Sequence, residues 1–270
     1  MNDNFHIKPL NEAEISQLKG FAPADWHFDL ESFLSEHFGK DHFFAFVAKT
    51  KGKIIAVGNG IFYGNAGWAG NIIVDENYRR QGIGTAITQA IVDEFKRRNC
   101  SSVLLIATNN GMPVYYKLGF KTSLNYSFYR CPFPLDFNED GHIQKIRKTD
   151  FEKILALDRF ATGEDRRMFL SKFILSGWGF YKKGVQGFYL PDFGAGYIAA
   201  ENAEAGLSLL RFKLSKPGQI VVIPEENFAA SGFLEEIGCV ETTIAPRMYL
   251  GQETSWHPEM IFSRAAGYCG

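Results

Sequence analysis

Apolar residues follow two patterns in the first half of the chain. Runs at 43–49, 54–63 and 68–74 have the composition of strands, and short turns separate them. From residue 83 onward, apolar side chains recur at every third or fourth position, which predicts an amphipathic helix. The apolar stripe consists of Ile83, Ala86, Ile87, Ala90, Ile91 and Phe95. The pattern therefore predicts a meander of three antiparallel strands followed by a helix.

Further elements extend this unit on both sides. Residues 5–8 form a predicted opening strand, and Asn11 caps a predicted helix that runs to residue 18. Another helix is predicted through 30–34. The apolar run 103–108 predicts a buried strand parallel to its neighbour, and 121–129 predicts a closing strand.

The order of elements restarts in the second half. Residues 131–141 are rich in Pro, Gly and acids and have no clear period, so we interpret them as a linker. The elements predicted beyond them are a strand at 142–147, a helix capped by Thr149 and Asp150, strands at 178–181, 187–190 and 196–200, a helix at 203–213, and strands at 219–223 and 239–250. This repetition, at roughly 120 to 140 residues, predicts two copies of one unit. An unrelated α+β domain is the alternative for the second half.

Composition excludes several classes of protein. The 270 residues are 46% hydrophobic and 22% charged with a formal net charge of −1, which argues against a broad nucleic-acid or membrane surface. No apolar run approaches the ~18 residues of a membrane span, and the first residues lack a signal-peptide pattern. The cysteines have no metal-ligand spacing, so we expect no metal, free buried thiols and a reduced, cytoplasmic setting. They are Cys100, Cys131, Cys239 and Cys269.

Two glycines stand where the amphipathic helix begins. Gly82 and Gly84 let the backbone pass very close to a ligand. The N–H groups of the first helical turn and the helix dipole make the same place positive, and Arg79 and Arg80 add charge. We name residues 79–85 the anion-binding loop and predict that it binds a phosphate or pyrophosphate. An ordinary loop-to-helix turn is the alternative.

Two common phosphate-binding sequences do not fit this loop. A P-loop requires Gly-Lys-Ser or Gly-Lys-Thr, and 82–85 contains no lysine. A dinucleotide-binding sequence requires a third glycine where Ile87 stands, which disfavours a nucleotide-binding oxidoreductase. The loop instead resembles the Arg/Gln-x-x-Gly-x-Gly/Ala motif of the GNAT acyl-CoA N-acetyltransferases, which Arg79, Gly82 and Gly84 match.

The resemblance implies a site for acetyl-CoA. The backbone of 80–85 is implied to hold the coenzyme A pyrophosphate, and the end of the preceding strand is implied to lie along the pantetheine arm. The implied cofactor contacts here are Ile72, Ile73, Val74, Arg79, Arg80, Gln81, Gly82, Ile83, Gly84 and Thr85.

Residues 108–120 resemble the second signature of the same family, Asn-x-x-Ala-x-x-Leu-Tyr-x-x-x-Gly-Phe. Tyr115 stands four residues before Gly119, where the family keeps its tyrosine. Thr108 departs from the family's asparagine, although Asn109 and Asn110 lie beside it. The implied contacts to the cofactor are therefore Thr108, Asn109, Asn110 and Tyr115, and the resemblance covers residues 5–130.

The second half resembles the degenerate C-terminal halves of tandem GNAT proteins. Leu234 stands where Tyr115 stands in the first copy, and 196–213 contains no Arg-x-x-Gly-x-Gly. We therefore expect an α+β fold of two tandem GNAT-like domains, each with a mixed central sheet (an antiparallel meander, then a parallel pair) flanked by helices. The expected boundaries are 1–130 for the GNAT domain, 131–141 for the linker and 142–270 for the degenerate domain. We expect one cofactor, in the first domain, and a contribution of the second domain to the acceptor site.

Acetyl transfer to an amine assigns chemical roles to few of these residues. Tyr115 is expected to protonate the departing thiolate, because a phenol and a thiol have reference pKa values of about 10 and about 8.5. The resemblance makes the Val74 N–H the candidate that polarises the thioester carbonyl. No base is assigned: Asp75 and Glu76 suit a solvated turn, and water-mediated deprotonation stays open. His27, His37 and His42 each suit packing or the surface better than a base.

The densest polar cluster of the second half is 157–167, which resembles the Asp-x-x-x-Thr-Gly-x-x-Arg segment of such C-terminal halves. Asp158, Asp165 and Arg166 are candidates for binding a charged acceptor, and a capped, solvated helix start is equally open. We expect an N-acetyltransferase that acts on the primary amine of a small molecule, amino acid or peptide, as a monomer or homodimer. The alternative is a non-catalytic acyl-CoA-binding sensor or interaction module.

Overall fold

The computed structural model describes residues 5–26, 28–132, 134–137 and 141–269, which form two compact units. The first unit contains the chain up to Lys121 together with Met248–Glu253 and Gly267–Cys269. The second unit contains Thr122–Arg247 and Thr254–Ala266. In the described part of the chain, no helix is long and apolar enough to cross a membrane.

The first unit follows the predicted order of elements. Its strands and helices are β1 (His6–Pro9), α1 (Leu30–His37), β2 (Phe43–Thr50), β3 (Lys53–Tyr63), β4 (Ala66–Val74), α2 (Ile83–Arg97), β5 (Ser102–Ile106) and α3 (Met112–Lys117). The element after Asn11 is a 3₁₀ helix, Glu12–Leu18, with a capping box between Asn11 and Glu14. Strands β1 to β4 pair antiparallel in sequence order, and β5 joins β4 in parallel, so the predicted meander and parallel pair are confirmed.

Helix α2 packs on this sheet through the predicted apolar stripe. Ile87, Ile91 and Phe95 are completely buried. The helix approaches β3 so closely that a Cβ on Gly58 would stand 2.7 Å from Ile87 Cγ2. This tight packing fixes the start of α2 beside the end of β4.

The remaining elements lie wholly or largely in the second unit. They are β6 (Lys121–Arg130), β7 (Ile143–Lys145), α4 (Phe151–Thr162), α5 (Arg167–Ile174), β8 (Trp178–Tyr181), β9 (Val185–Leu190), β10 (Tyr197–Ala200), α6 (Ala203–Leu214), β11 (Ile220–Pro224), α7 (Phe228–Glu236), β12 (Val240–Gly251) and β13 (Ile261–Ser263). One antiparallel sheet has the order β13-β10-β9-β8-β7. Helix α5 and strand β13 were not predicted, and Asp150 accepts a hydrogen bond from the Tyr181 hydroxyl instead of capping α4 with its side chain.

The compact units differ from the division drawn at 130 and 142. Strand β6 belongs to the second unit, where it pairs antiparallel with β11 from Tyr126–Pro224 to Arg130–Ile220. The end of β12, from Met248, belongs to the first unit, where β12 is the neighbour of β5. The predicted division at residues 131–141 places β6 in the first half and β12 in the second. In the structure, nearly all of β6 belongs to the second unit and the end of β12 belongs to the first.

The cysteines also differ from expectation. Cys131 and Cys239 form a disulfide within the second unit, with their Cα atoms 4.2 Å apart. The expectation of four free thiols was wrong because β6 and β12 lie side by side, and their ends bring together residues separated by 108 positions. Cys100 and Cys269 are free.

Candidate active site

The start of α2 leaves its amide hydrogens open. Gly82 is the N-cap residue, with φ 82° and ψ −3°, and makes no side-chain capping bond. The first turn bond runs from Ala86 N to Gly82 O at 3.0 Å. Within the described chain, the N–H groups of Ile83, Gly84 and Thr85 have no acceptor. Three open donors at the positive end of a 15-residue helix have the geometry that suits an anion.

The first four residues of the anion-binding loop are exposed, which leaves them accessible to a ligand. Arg79, Arg80, Gln81 and Gly82 are exposed, and Arg80 adopts a left-handed φ of 61° just before the glycine. Arg79 Nε donates to Val74 O at 3.2 Å, and its Nη1 lies 3.3 Å from Glu76. The side chain of Arg79 therefore follows the end of β4.

Strands β4 and β5 separate next to this loop. They pair at Ala66–Ser102, Gly67–Val103 and Trp68–Leu104. Among the described residues no pairing continues past Trp68, although β4 runs on to Val74 and β5 to Ile106. The second half of β4 therefore has a free edge on the side of β5.

The free edge carries the backbone groups of Val74. Asp75 N donates to Ile55 O at 2.9 Å, so Asp75 faces β3. Because successive residues of a strand point their N–H groups to opposite sides, the N–H of Val74 points away from β3. Ile73 is buried, whereas Ile72 and Val74 are half-buried. The arrangement presents one backbone donor beside the open amides of α2.

Tyr115 lies on α3 with only 8% of its surface exposed. Its ring packs 5.8 Å from Phe120, and its hydroxyl lies over Gly111, 3.0 Å from the place of a Cβ there. Burial raises the pKa of Tyr115 to about 12. The phenol is therefore protonated at neutral pH, but in the free protein its proton is harder to give away than the reference value of about 10 suggests.

Thr108, Asn109 and Asn110, in the turn that leads to α3, differ in their contacts. The backbone N–H of Gly111 donates to Thr108 O at 2.9 Å and lies 3.3 Å from Thr108 Oγ1. Thr108 therefore holds the turn into α3. Asn109 and Asn110 are exposed, and no hydrogen bond of theirs occurs in the described structure.

The carboxylates after β4 are held by other groups. Lys53 bonds to Asp75 at 2.9 Å and lowers the pKa of that carboxyl, and Asp75 also accepts from Asn77 N. Glu76 is exposed and pairs with Arg79. His37 and His42 are buried in a group of aromatic rings, and His27 lies outside the described residues. The solvated-turn interpretation of Asp75 and Glu76 fits these contacts.

Two of the three candidate acceptor residues are inaccessible. Asp158 and Arg166 have side chains 1% and 0% exposed and form an ion pair with each other. Their polar atoms therefore have no access to a substrate, which corrects the expectation from sequence. Asp165 is 57% exposed and lies 3.8 Å from Arg159.

The structure adds residues that the sequence analysis did not select. Asn71 has a left-handed φ of 50° on β4, and its side chain bonds to Asn59 on β3. Tyr268 packs against Gly70. An asparagine between two glycines inside a strand, as at Asn59, is a signal of close approach, whereas no local pattern marks Tyr268.

The chain resembles known acetyltransferases. Residues 10–120 match the model of the acetyltransferase (GNAT) family. The uncharacterized N-acetyltransferase YitH of Bacillus subtilis is 30% identical over 127 residues, which cover 46% of this chain and 44% of YitH. The match thus spans less than half of that relative.

Solved structures extend the similarity of fold to the whole chain. A structure described as an acetyltransferase from Pyrococcus horikoshii has 20% identity and a TM-score of 0.84, covering 100% of this chain and 97% of that chain. A GCN5-related N-acetyltransferase from Sphaerobacter thermophilus has 11% identity and a TM-score of 0.64, covering 98% of each chain. At such low sequence identities, these structural similarities show the fold alone. They confirm the predicted α+β class. The similarity to the acetyltransferase (GNAT) family model itself covers residues 10–120.

Proposed function

We propose that this protein is an N-acetyltransferase that transfers an acetyl group from acetyl-CoA to a primary amine of a small molecule, amino acid or peptide. The observation that carries the proposal is the uncapped start of α2 beside the free edge of β4. A diphosphate fits the open amides, and an extended amide-containing arm fits a strand edge with unpaired backbone groups. The residues of the anion-binding loop would hold the diphosphate, and Ile72 to Val74 would hold the extended arm.

The loop also has room for the donor. A Cβ on Gly84 would approach only Val74 Cγ2, at 3.7 Å, so the space above this glycine is open. Asn109 and Asn110 present exposed amides that suit the same ligand. These features support acetyl-CoA as the donor substrate.

In the proposed reaction the amine nitrogen attacks the thioester carbonyl carbon. The C–N bond forms as the C–S bond breaks, the amine loses one proton, and the thiolate gains one. The Val74 N–H stabilises the charge on the carbonyl oxygen. Tyr115 donates its proton to the thiolate sulfur. Because burial raises the pKa of Tyr115 to about 12, this transfer is less favourable in the free protein than the reference values of about 10 and about 8.5 imply.

The second unit is proposed to be a degenerate copy without a cofactor. Ala205 N donates to the side chain of Asn202, the N-cap residue of α6, at 3.0 Å. One amide at the start of the helix that follows the second meander is therefore already hydrogen-bonded. Strand β13 pairs with β10 and Arg264 N donates to Val222 O on β11 at 2.7 Å, so the chain itself occupies the space that opens between β4 and β5 in the first unit. Leu234 is buried and has no proton to give.

The experiment is a calorimetric titration with coenzyme A, followed by thiol release from acetyl-CoA over a panel of amines. We expect one coenzyme A per chain and amine-dependent thiol release. Binding without release for any amine would favour the non-catalytic sensor, and absence of binding would contradict both functions. We propose the cytoplasm as location and a monomer or homodimer as the active form; sedimentation tests the latter.

A further inference from the structure

Asn59 of β3 carries a buried amide with one unsatisfied atom. The residue is 0% exposed, and its Oδ1 accepts from Asn71 Nδ2 at 2.8 Å. Its Nδ2 has no hydrogen-bond partner in the described structure. A buried polar group without a hydrogen-bond partner destabilises the folded state, so a ligand that accepts from Asn59 Nδ2 would remove this penalty.

The amide lies where β4 is irregular. The register of β3 and β4 shifts between Val57 and Asn59, and Asn71 sits at this irregularity with a left-handed φ of 50°. Such bulges change the direction of a strand and concentrate beside active sites. Asn71 is therefore positioned to hold Asn59 at the point where β4 has left β5.

Aromatic rings stand above this position. Gly70 pairs with Asn59, and a Cβ on Gly70 would lie 2.6 Å from Tyr268 Cβ and 3.9 Å from Asn59 Nδ2. The Tyr268 ring lies 4.5 Å from Phe33 and 5.6 Å from Phe28. Tyr268 thus lies next to the Gly70–Asn59 pair, and two further rings pack on Tyr268, all within the first unit.

We propose that Asn59 and Tyr268 form the acceptor subsite, which selects an amine that carries a neighbouring carbonyl or carboxylate oxygen and an apolar or aromatic side chain. Asn59 Nδ2 donates to that oxygen, while Tyr268, Phe28 and Phe33 contact the side chain. Tyr268 covers Gly70 at the edge of this subsite. The acceptor class is therefore an α-amino acid, amino-acid amide or peptide N-terminus with a large apolar residue. This inference rests on the proposed acetyltransferase function.

An apolar subsite also suits the chemistry of the acceptor. Burial of the amine lowers its pKa, because desolvation destabilises the charged ammonium form. The neutral amine is the form that attacks a thioester. The subsite thus favours the reactive form without a dedicated base.

The test compares phenylalaninamide with phenethylamine, which has the same ring and amine without the oxygen. With the wild-type chain and saturating acetyl-CoA, we expect kcat/KM, expressed per neutral amine, to be at least about tenfold higher for phenylalaninamide, the scale of one hydrogen bond left unmade. Asn59→Leu should bring the two values together mainly through KM. Tyr268→Ala should raise KM for both amines, whereas Tyr268→Phe should retain the wild-type values.

Two controls keep the outcomes separate. Asn65→Leu changes an exposed asparagine of the β3–β4 turn and should leave the preference unchanged. Coenzyme A calorimetry checks that each variant is folded; if Asn59→Leu fails it, Asn59→Asp retains the oxygen that Asn71 needs and removes the donor. Equal kcat/KM values for both amines with the wild-type chain would overturn the inference while leaving the proposed function intact.

A binding measurement tests the acceptor subsite even if the protein does not catalyse acetyl transfer. If no amine releases thiol, the melting temperature of the coenzyme A-loaded protein is measured with each amine. A larger rise with phenylalaninamide than with phenethylamine, lost in the Asn59 variant, would support the subsite in a non-catalytic protein. The absence of any such difference would overturn it.

Discussion

Asp158 and Arg166 form an ion pair inside the second unit, with Arg166 Nε 3.1 Å from Asp158 Oδ2 and a second bond from Nη2 to Oδ1. The guanidinium also lies 4.7 Å from the centre of the Tyr197 ring. Burial lowers the pKa of Arg166, whereas the neighbouring Asp158 carboxylate raises it. The net result is a pKa of Arg166 well above its usual value. The pair links α4 to the chain segment before α5.

Asp158→Ala should therefore act on stability. Removal of the carboxylate leaves a buried guanidinium without its partner, which costs about 3–5 kcal/mol. Asp165→Ala, at an exposed position, should change stability by no more than about 0.5 kcal/mol. Urea unfolding of the two variants measures the difference. A stable Asp158 variant with only a raised acceptor KM would restore the substrate role expected from sequence.

Tyr115→Phe tests the proposed acid. We expect turnover to fall by roughly 10²-fold, because a positioned proton donor is lost, while coenzyme A affinity changes little. Tyr116→Phe, at the adjacent and 49% exposed position, is the matched control and should keep wild-type turnover. Stopped-flow thiol detection measures both. Wild-type turnover in Tyr115→Phe would remove the acid role.

The two glycines of the anion-binding loop should differ in what they control. Gly84 lies in α2 with open space above it, so Gly84→Ala should preserve stability and weaken coenzyme A binding by about tenfold or more, since a methyl group fills the backbone approach. Gly82 has φ 82°, so Gly82→Ala should also lose about 1–2 kcal/mol of stability.

The control for the glycine variants is Gly232→Ala in α7, where no atom lies within 4 Å of the added Cβ. It should leave coenzyme A affinity at the wild-type value. Calorimetry gives affinity and urea unfolding gives stability. Unchanged affinity in Gly84→Ala would place the diphosphate elsewhere.

Features that depend on residues close together in the sequence were predictable, and features that depend on distant residues were not. The apolar stripe of α2 and the glycines at its start are set by neighbours within a few residues, so their positions were predictable. The polar run around Asp158 suggested an exposed site, because the pairing that buries it involves helix packing that no local pattern encodes. Tyr268 reaches Gly70 across almost 200 residues, and only the folded chain shows it.

The closing strands show the same limit at the level of topology. The pattern located β6 and β12 to within a few residues, but it assigned each to its own half. Strand order depends on non-local pairing, which period and composition do not specify. The Cys131–Cys239 disulfide was missed for this reason.

Lys213 predicts a particular dependence of stability on pH. Its ammonium is completely buried and donates to Ala195 O, Gly196 O and Ser263 Oγ at 2.6, 3.1 and 2.7 Å. Burial lowers the pKa of Lys213 to about 7 from a usual value of 10.5. Between these two values the unfolded chain binds more protons than the folded chain, so this group's contribution to stability rises with pH.

Lys213→Met isolates that contribution. From pH 7 to pH 10 the wild type should gain stability relative to the variant by at most about 1.4 kcal/mol per pH unit. The loss of three hydrogen bonds in the variant is an offset that does not depend on pH. Urea unfolding at several pH values measures the slope, with exposed Lys216→Met as control. A difference that stays constant with pH would show that the three acceptors keep Lys213 charged.

The disulfide predicts how the cysteines react. After denaturation without reductant, alkylation should modify two of the four cysteines, Cys100 and Cys269. Reduction should destabilise the fold by about 4–5 kcal/mol, the entropic estimate for a crosslink that closes a loop of about 100 residues. Cys131→Ser should lose the same stability and be insensitive to reductant. Four modified cysteines in protein taken directly from cells would show two thiols instead, which is the state that a reducing cytoplasm favours.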